Sequence, residues 1–288
     1  MNPQSLPHPV RRRRAIPFAA AAVALLTATA LTACSSRSDA ADKKNFTLHV
    51  GVVTKVGVDG VLGWAQHEGI LQKALAPAGV GKIEFSTFAT GPTLNAALTS
   101  GSVQVASQGD TPAITLRSNG FASRAIAISN VNTNYTLIGR KGAPTTLAGL
   151  AGHKVSAAPG TAPEQYLIEL LDEQHLTGKI TISHLQTNDA AAAVRAGTID
   201  AFVASGPMAA TLAAQGYPVI DQASDHTGLY TTSVNVAPEK FLKQHPGFAA
   251  AWARALQQAV ASIRAPPDAY WAFAATAEKV PVAIAKAA

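Results

Sequence analysis

Residues 98–112 read Leu-Thr-Ser-Gly-Ser-Val-Gln-Val-Ala-Ser-Gln-Gly-Asp-Thr-Pro and hold two kinds of junction on which the fold turns. Gly101 closes a helical stretch, because glycine accepts the left-handed backbone that follows a last helical turn. Residues 103–107 read as a strand. Gly109-Asp110-Thr111-Pro112 then opens another helix, where the missing N–H of proline costs nothing in the first turn. Val194-Arg195-Ala196-Gly197-Thr198-Ile199-Asp200-Ala201 repeats the first junction, and Ser205-Gly206-Pro207 repeats the second. The copies stand about one α/β lobe apart, too far for a solenoid repeat, and predict two similar lobes.

Outward from this run the same order persists. Phe46, Leu48, Val50 and Val52 alternate with Thr47, His49 and Gly51, the period of a strand. A helix over 64–75, closed by Pro77 and Gly79, a strand over 83–88, a helix over 93–99 and a strand over 125–128 complete the first half. In the second half, strands over 154–157, 180–185 and 199–204 alternate with helices over 161–174, 189–196 and 207–215. A further strand over 230–236 precedes an Ala-rich helical region over 247–264 and beyond Pro267, placed to pack back on the first lobe. Such alternation predicts parallel sheets flanked by helices, an α/β fold class.

Composition narrows the function. A hydrophobic fraction of 48% with 14% charged residues excludes a disordered or fibrous chain. The net charge of +6 points to nucleic acid only until Arg11, Arg12, Arg13 and Arg14 are set aside. Without those four of the 23 basic residues, the rest nearly balance the 17 acidic ones, so no nucleic acid is expected as a partner.

Those arginines precede an apolar stretch over 15–33 and then Cys34, the one cysteine of the chain. The pattern is that of an export leader, 1–33, with Sec and twin-arginine export both open. Leu31-Thr32-Ala33-Cys34 resembles the bacterial lipobox, which implies lipidation of Cys34 and an extracytoplasmic protein anchored to the cell membrane. A polar tether continues to residue 44. With its cysteine so placed, the chain has no disulfide and no thiol nucleophile.

Catalytic signatures are scarce. The eight histidines show no His-Glu-x-x-His and no i, i+4 pair, so no metal and no cofactor are expected. Neither a nucleophile elbow nor a phosphate-binding or dinucleotide loop is present, which favours a binder over an enzyme. What recurs is a strand end, a small or capping residue and a proline: Thr90-Gly91-Pro92, Gly109-Asp110-Thr111-Pro112, Gly160-Thr161-Ala162-Pro163-Glu164 and Ser205-Gly206-Pro207. Thr161 with Glu164 matches a capping box. These helices start at the carboxyl ends of strands, where α/β sheets bind ligands, and unpaired N–H groups there favour an anion. The candidate ligand-binding residues are Thr90, Gly91, Gly109, Asp110, Thr111, Gly160, Thr161, Asp189, Ser205 and Gly206. Asp110 is expected to hold its own loop by accepting backbone N–H bonds, with Thr111 and Thr161 as donors to the anion.

The residues resemble the substrate-binding proteins of bacterial ABC importers of the sulfonate, nitrate and taurine type. The match is carried by Gly91-Pro92 before Asn95-Ala96-Ala97-Leu98, by Gly101 through Pro112, by residues 147–155, by Pro159-Gly160-Thr161, and by Asp189-Ala190 leading to residues 197–201. The resemblance implies a periplasmic-binding fold of two α/β lobes, 45–133 with 228–288 and 134–227, joined by crossovers near 131–135 and 227–230 around an interlobe cleft. It also implies a monomer that closes on a small anionic solute, a sulfonate, and delivers it to a permease and its ATPase. A ligand-sensing lipoprotein and an enzyme of pyrimidine-precursor synthesis on the same fold are the alternatives. Ser205-Gly206-Pro207-Met208 departs from the Trp-Asp-Pro-aromatic element of the sulfonate branch, which implies a roomier cleft and a bulkier organic tail. The family usually continues with a helical segment beyond the position of Ala288.

Overall fold

Leu48, Val50 and Val52, one face of the alternating run, are buried in the first strand of a computed structural model that describes residues 45–54, 57–264 and 267–288. The expected leader, Cys34 and the tether lie outside the described residues. The first half runs β1 (Phe46–Val53), α1 (Gly60–His67), α2 (Ile70–Leu75), β2 (Val80–Phe88), α3 (Gly91–Ser100), β3 (Val105–Gly109), α4 (Asp110–Ser118) and β4 (Ser123–Thr133). The second runs β5 (Tyr135–Gly139), β6 (Lys154–Ser156), α5 (Ala162–Glu173), β7 (Thr181–Ser183), α6 (Thr187–Ala196), β8 (Ala201–Ser205), α7 (Gly206–Ala214) and β9 (Val219–Gln222). After these come β10 (Thr231–Pro238), α8 (Glu239–Gln244), α9 (Phe248–Ile263), α10 (Pro267–Glu278) and α11 (Val282–Ala287). None of the described helices is long and apolar enough to cross a membrane. The helix expected over 64–75 is two helices, broken where Gly69 adopts a left-handed backbone (φ 67°).

The strands form two sheets of matching order, β2-β1-β3-β10-β4 and β7-β6-β8-β5-β9. Within each, three strands are parallel: β1 pairs with β2 and β3, and β6 pairs with β7 and β8. The expectation of wholly parallel sheets is corrected at the other two positions. β10 runs antiparallel to β3 and β4, and β5 antiparallel to β8 and β9. The reason is topological. β5 follows β4 across the single residue Asn134, and β10 returns from the other sheet, so neither strand arrives through the helical crossover that enforces parallel pairing. Two α/β lobes of the periplasmic-binding type are the result, the second built from the contiguous β5–β9 and the first completed by β10 when the chain returns.

The repeated glycine junction occupies equivalent places. Gly101 (φ 82°) and Gly197 (φ 78°) donate to the carbonyls of Leu98 and Val194, while Ser102 and Thr198 donate to Ala97 and Ala193. These paired bonds terminate α3 and α6 alike and aim the chain into β3 and β8, the middle strands of the two sheets.

Helices cover both faces of each sheet. Apolar residues of α9 at Phe248, Ala251, Trp252, Ala255, Leu256 and Ala259 fall on one stripe and are buried with α1 and α2 against the first sheet. The Trp252 indole donates to Asn235 Oδ1 (2.9 Å), satisfying the oxygen of a side chain at 0% exposure on β10 whose amide nitrogen is left without a partner. On the opposite face Leu94, Leu98 and Leu116 pack over Ala106 and Val236. Gly51 makes this approach possible, since a side chain there would run into Leu94 and Phe88. In the second lobe α5 buries Tyr166, Leu167, Leu170 and Leu171 on one face, and α6 and α7 cover Ile138 and Phe202 on the other. The C-terminal helices do more than pack back on the first lobe: α10 lies against α1 and α9, whereas α11 packs on α7 of the second lobe.

Candidate functional site

Each parallel strand ends in a turn that starts a helix, so the topology delivers helix N-termini to one edge of each sheet. The N-cap residues of four helices, Thr90 of α3, Gly109 of α4, Thr161 of α5 and Ser205 of α7, line a single cleft of about 360 Å³. Asp59, the N-cap of α1, and Thr187, the first residue of α6, share it. Two of these helices follow first-sheet strands β2 and β3, and two follow second-sheet strands β6 and β8. The first-turn N–H groups of a helix have no partner within it, so the convergence concentrates donors and partial positive charge on one space. Among the described residues no lysine or arginine lines this cleft.

The expected site residues fall into two groups. Thr90, Gly91, Gly109, Thr161 and Ser205 line the cleft; Asp110, Thr111, Gly160, Asp189 and Gly206 do not. Asp110 turns its carboxylate away to accept the N–H groups of Thr111 (2.7 Å) and of Thr232 on β10 (2.8 Å). The Thr111 hydroxyl reaches across to Gln165 on α5 (2.5 Å), so it ties the two lobes at the rim. Asp189 lies exposed in the first turn of α6. Gly160, left-handed at φ 68°, packs near Pro92 of the facing lobe, and Gly206 also adopts positive φ.

The capping box expected at Thr161 is corrected. Its hydroxyl donates to the carbonyl of Ala158 (2.5 Å), and Glu164 accepts the N–H of Gly160 (2.7 Å) instead of that of Thr161. The left-handed turn at Gly160 brings its amide to the glutamate first. A reciprocal box does form at α3, between Thr90 and Thr93, where no acidic residue announced it. At neither cap does the threonine hydroxyl stand free, so the groups these helices offer the cleft are chiefly backbone N–H.

Sequence reasoning missed two acceptors. Asp59 lines the cleft, and burial raises its carboxyl above the usual range, opposed in part by a bond from its own backbone. Its only sequence signal is an acidic residue before Gly60 at a helix start. Gln108, 3% exposed near the end of β3, donates its amide to Asn95, whose own amide donates to the carbonyl of Pro112. That relay fixes the amide orientation and leaves Gln108 Oε1 buried without a partner on the cleft wall.

A second chamber of about 420 Å³ adjoins the cleft and shares Val53, Asp59, Ala89, Thr187 and Ser205 with it. Pro207, Met208, Leu212 and Val280 supply its apolar wall, and Arg195 and Glu278 its charges. Burial, reinforced by the negative charge of Asp59, pushes the Glu278 carboxyl up to about 7. Trp64 and Tyr230, the aromatics able in principle to fill the space at Ser205, line neither space; Trp64 is buried with its indole on Ser262, and Tyr230 points to the carbonyl of Ser224.

The crossovers meet beside the cleft. Asn134 donates to Gln222 (3.3 Å) and accepts from the N–H of Ser224 (3.0 Å), and Thr231 bonds the Tyr135 hydroxyl (3.2 Å). Both connections between the sheets are therefore laced to each other.

Comparison with known proteins agrees with this architecture. A family model described as NMT1/THI5 like matches residues 83–270. The periplasmic aliphatic sulphonate binding protein SsuA from Escherichia coli is similar in structure, with TM-score 0.70 and 23% identity over 84% of this chain and 81% of that one. The alkanesulfonate-binding protein SsuA from Xanthomonas axonopodis pv. citri, bound to MOPS, gives TM-score 0.73 and 22% identity over 84% and 83%. The periplasmic nitrate-binding protein NrtA from Synechocystis PCC 6803 gives 0.67 and 18% over 83% and 68%. No curated protein sequence matches the chain.

Proposed function

Because the chain belongs to the NMT1/THI5-like family, we propose that it is the solute-binding component of an ABC importer, capturing one small anionic organic solute outside the cytoplasm. The observation that carries this reading is the convergence of the α3, α4, α5 and α7 N-termini, drawn from both sheets, on one cleft. Backbone N–H groups at fixed positions can hold an oxyanion without a lysine or arginine, and their dipoles favour negative charge in a space removed from water. The sulfonates and nitrate named for the similar structures are anions of this kind.

In this reading the lobes 45–133 with 228–288 and 134–227 hinge about the laced crossovers, and the Thr111–Gln165 bond forms as the rim closes. The closed form then presents both lobes to a permease and its ATPase. Lipidation at Cys34 would hold the monomer at the membrane surface. The space at Ser205, continuous with the second chamber, suits an organic tail bulkier than a short alkane.

Mass spectrometry of the small molecules released on denaturing the purified chain tests the reading. One organic anion at near-equimolar yield is expected. A reaction product accumulating over many turnovers from an added solute would replace capture with catalysis.

A further inference from the structure

The chain leaves the second lobe through residues 223–230, and an imidazole held between two carboxylates anchors it there. His226 follows the turn Ala223–Asp225 with 11% of its side chain exposed. Its Nε2 lies 2.9 Å from Oδ2 of Asp221 on β9, and its Nδ1 lies 3.1 Å from Oε1 of Glu173 at the end of α5. Both ring nitrogens donate at once only in the imidazolium; a neutral ring has one N–H and would turn a bare nitrogen to one of the carboxylates. Asp221 also accepts the hydroxyl of Tyr166 on α5 (2.5 Å). The Tyr166 ring lies 6.1 Å from that of Tyr135, which lines the cleft and bonds Thr231 at the start of β10. A row of contacts thus runs from the crossover to the cleft wall. We propose that protonated His226 is a pH latch on this crossover, holding it in the geometry of the closed cleft and releasing it when the proton is lost, so that capture weakens in alkaline surroundings. The effect on affinity rests on the capture reading above; the effect on the crossover does not.

The chain beyond His226 is built to pivot. Thr227 and Gly228 are exposed, and Gly228 has a left-handed backbone (φ 93°) with open space around it. Leu229 then returns to the core of the second lobe with Ala223, and Tyr230 reaches only the carbonyl of Ser224. Gly228 therefore lies between an apolar anchor indifferent to pH and a polar anchor that responds to it. Around His226 the ionisable groups are acidic: Glu173 from α5, Asp221 from β9, and Asp225 in the preceding turn. Among the described residues no lysine or arginine pairs with Glu173 or Asp221, so the imidazolium is their common cation. Tyr166 keeps its proton, because burial and then the bond to Asp221 oppose its ionisation. Burial disfavours charge on the His226 ring, but the bonds and charges of Asp221 and Glu173 outweigh it and raise its proton affinity. The bridge is complete in acid and is lost as pH rises through the raised value.

Hydrogen exchange of the intact chain at pH 6 and pH 9, corrected for the chemical rate at each pH and read over residues 222–231, tests the latch. Protection there is expected to fall about three- to tenfold at pH 9 while that of α9 holds, since a tenfold change in opening goes with a tenfold change in the ring's proton affinity. His226→Gln, which gains no charge, should be weakly protected at both pH values, and His226→Lys, charged at both, well protected at both. Calorimetric titration with butane-1-sulfonate reads the cleft. Glu278, pushed up to about 7, titrates in the same window in every variant, so the quantity compared is the fall in affinity of the wild type against that of His226→Lys. The wild-type fall should be larger by about three- to tenfold, the same factor as the opening. Unchanged wild-type protection between the two pH values, or a wild-type response in His226→Gln, overturns the latch. A crossover that loosens while the two affinities fall equally overturns its hold on the cleft and leaves the anion reading standing. No binding of butane-1-sulfonate at either pH overturns the anion reading and the effect on affinity with it.

Discussion

Replacing Asp110 by alanine removes the carboxylate that pins the start of α4 to β10. Its Oδ1 accepts the Thr111 N–H at 2.7 Å and its Oδ2 the Thr232 N–H at 2.8 Å. The first amide lies in the opening turn of α4, where no intrahelical acceptor exists. The second lies where the β10–β4 register shifts between Thr231 and Ser233. Neither has a replacement within the fold. A hydrogen bond to a charged acceptor contributes about 1.5–3 kcal/mol net, and partial access of water to this half-buried site reduces the sum of two to about 2–4 kcal/mol. For a body of this size that corresponds to a fall in melting temperature of roughly 4–16 °C. Urea unfolding followed by circular dichroism measures it, with an unchanged slope expected because the surface exposed on unfolding is the same. Asp110→Asn, which keeps one acceptor oxygen, should lose about half as much. An Asp110→Ala chain within about 0.5 kcal/mol of the wild type would show that the loop is held by something else, and an anchoring role for Asp110 would be refuted.

Other perturbations probe the rest of the account. Ser205→Trp adds an indole worth 150–250 Å² where the cleft opens into the second chamber, so calorimetry should show weaker binding of bulky sulfonates and unchanged or tighter binding of short ones. Burial opposes the charge on His226, but the bonds its ring N–H groups donate to Asp221 (2.9 Å) and Glu173 (3.1 Å) outweigh it and hold the ring above its ordinary value of 6.5. The stability it contributes is therefore complete below pH 6.5 and lost as pH rises through the raised value; His226→Ala should flatten the decline in denaturation midpoint over that window. Cys34→Ala should move the protein from the membrane fraction to the soluble one, and equal membrane association would remove the anchor.

Much of the fold can be read from local chemistry. The alternation from Phe46, the prolines after Gly91, Asp110-Thr111, Thr161-Ala162 and Gly206, and the twin glycines at 101 and 197 each act within a few residues, so each leaves its mark in sequence. Strands β5 and β9 left none. Tyr135–Gly139 follows β4 after one residue, and Val219–Gln222 is four residues long, so neither shows enough periodicity to separate it from its neighbours. Their antiparallel pairing follows from how the chain enters and leaves the second sheet, which no local pattern encodes. The site divides the same way. Helix caps announce themselves through Gly, Thr and Pro, whereas Gln108 becomes an orphan acceptor only through Asn95, thirteen residues away, and Asp59 meets Glu278 only once α10 folds back over α1.

The central claim is that helix N-termini from both lobes hold an anionic group. Its most direct measurement is calorimetric titration of the intact chain with an alkanesulfonate and, separately, with the alkylammonium of the same chain length. One sulfonate per chain, at micromolar affinity or tighter, with no heat from the alkylammonium, is the predicted result. Saturable binding of the alkylammonium with none of the sulfonate would contradict it, because the cleft would then be selecting for the acceptors of Asp59 and Gln108 and not for the helix N–H groups.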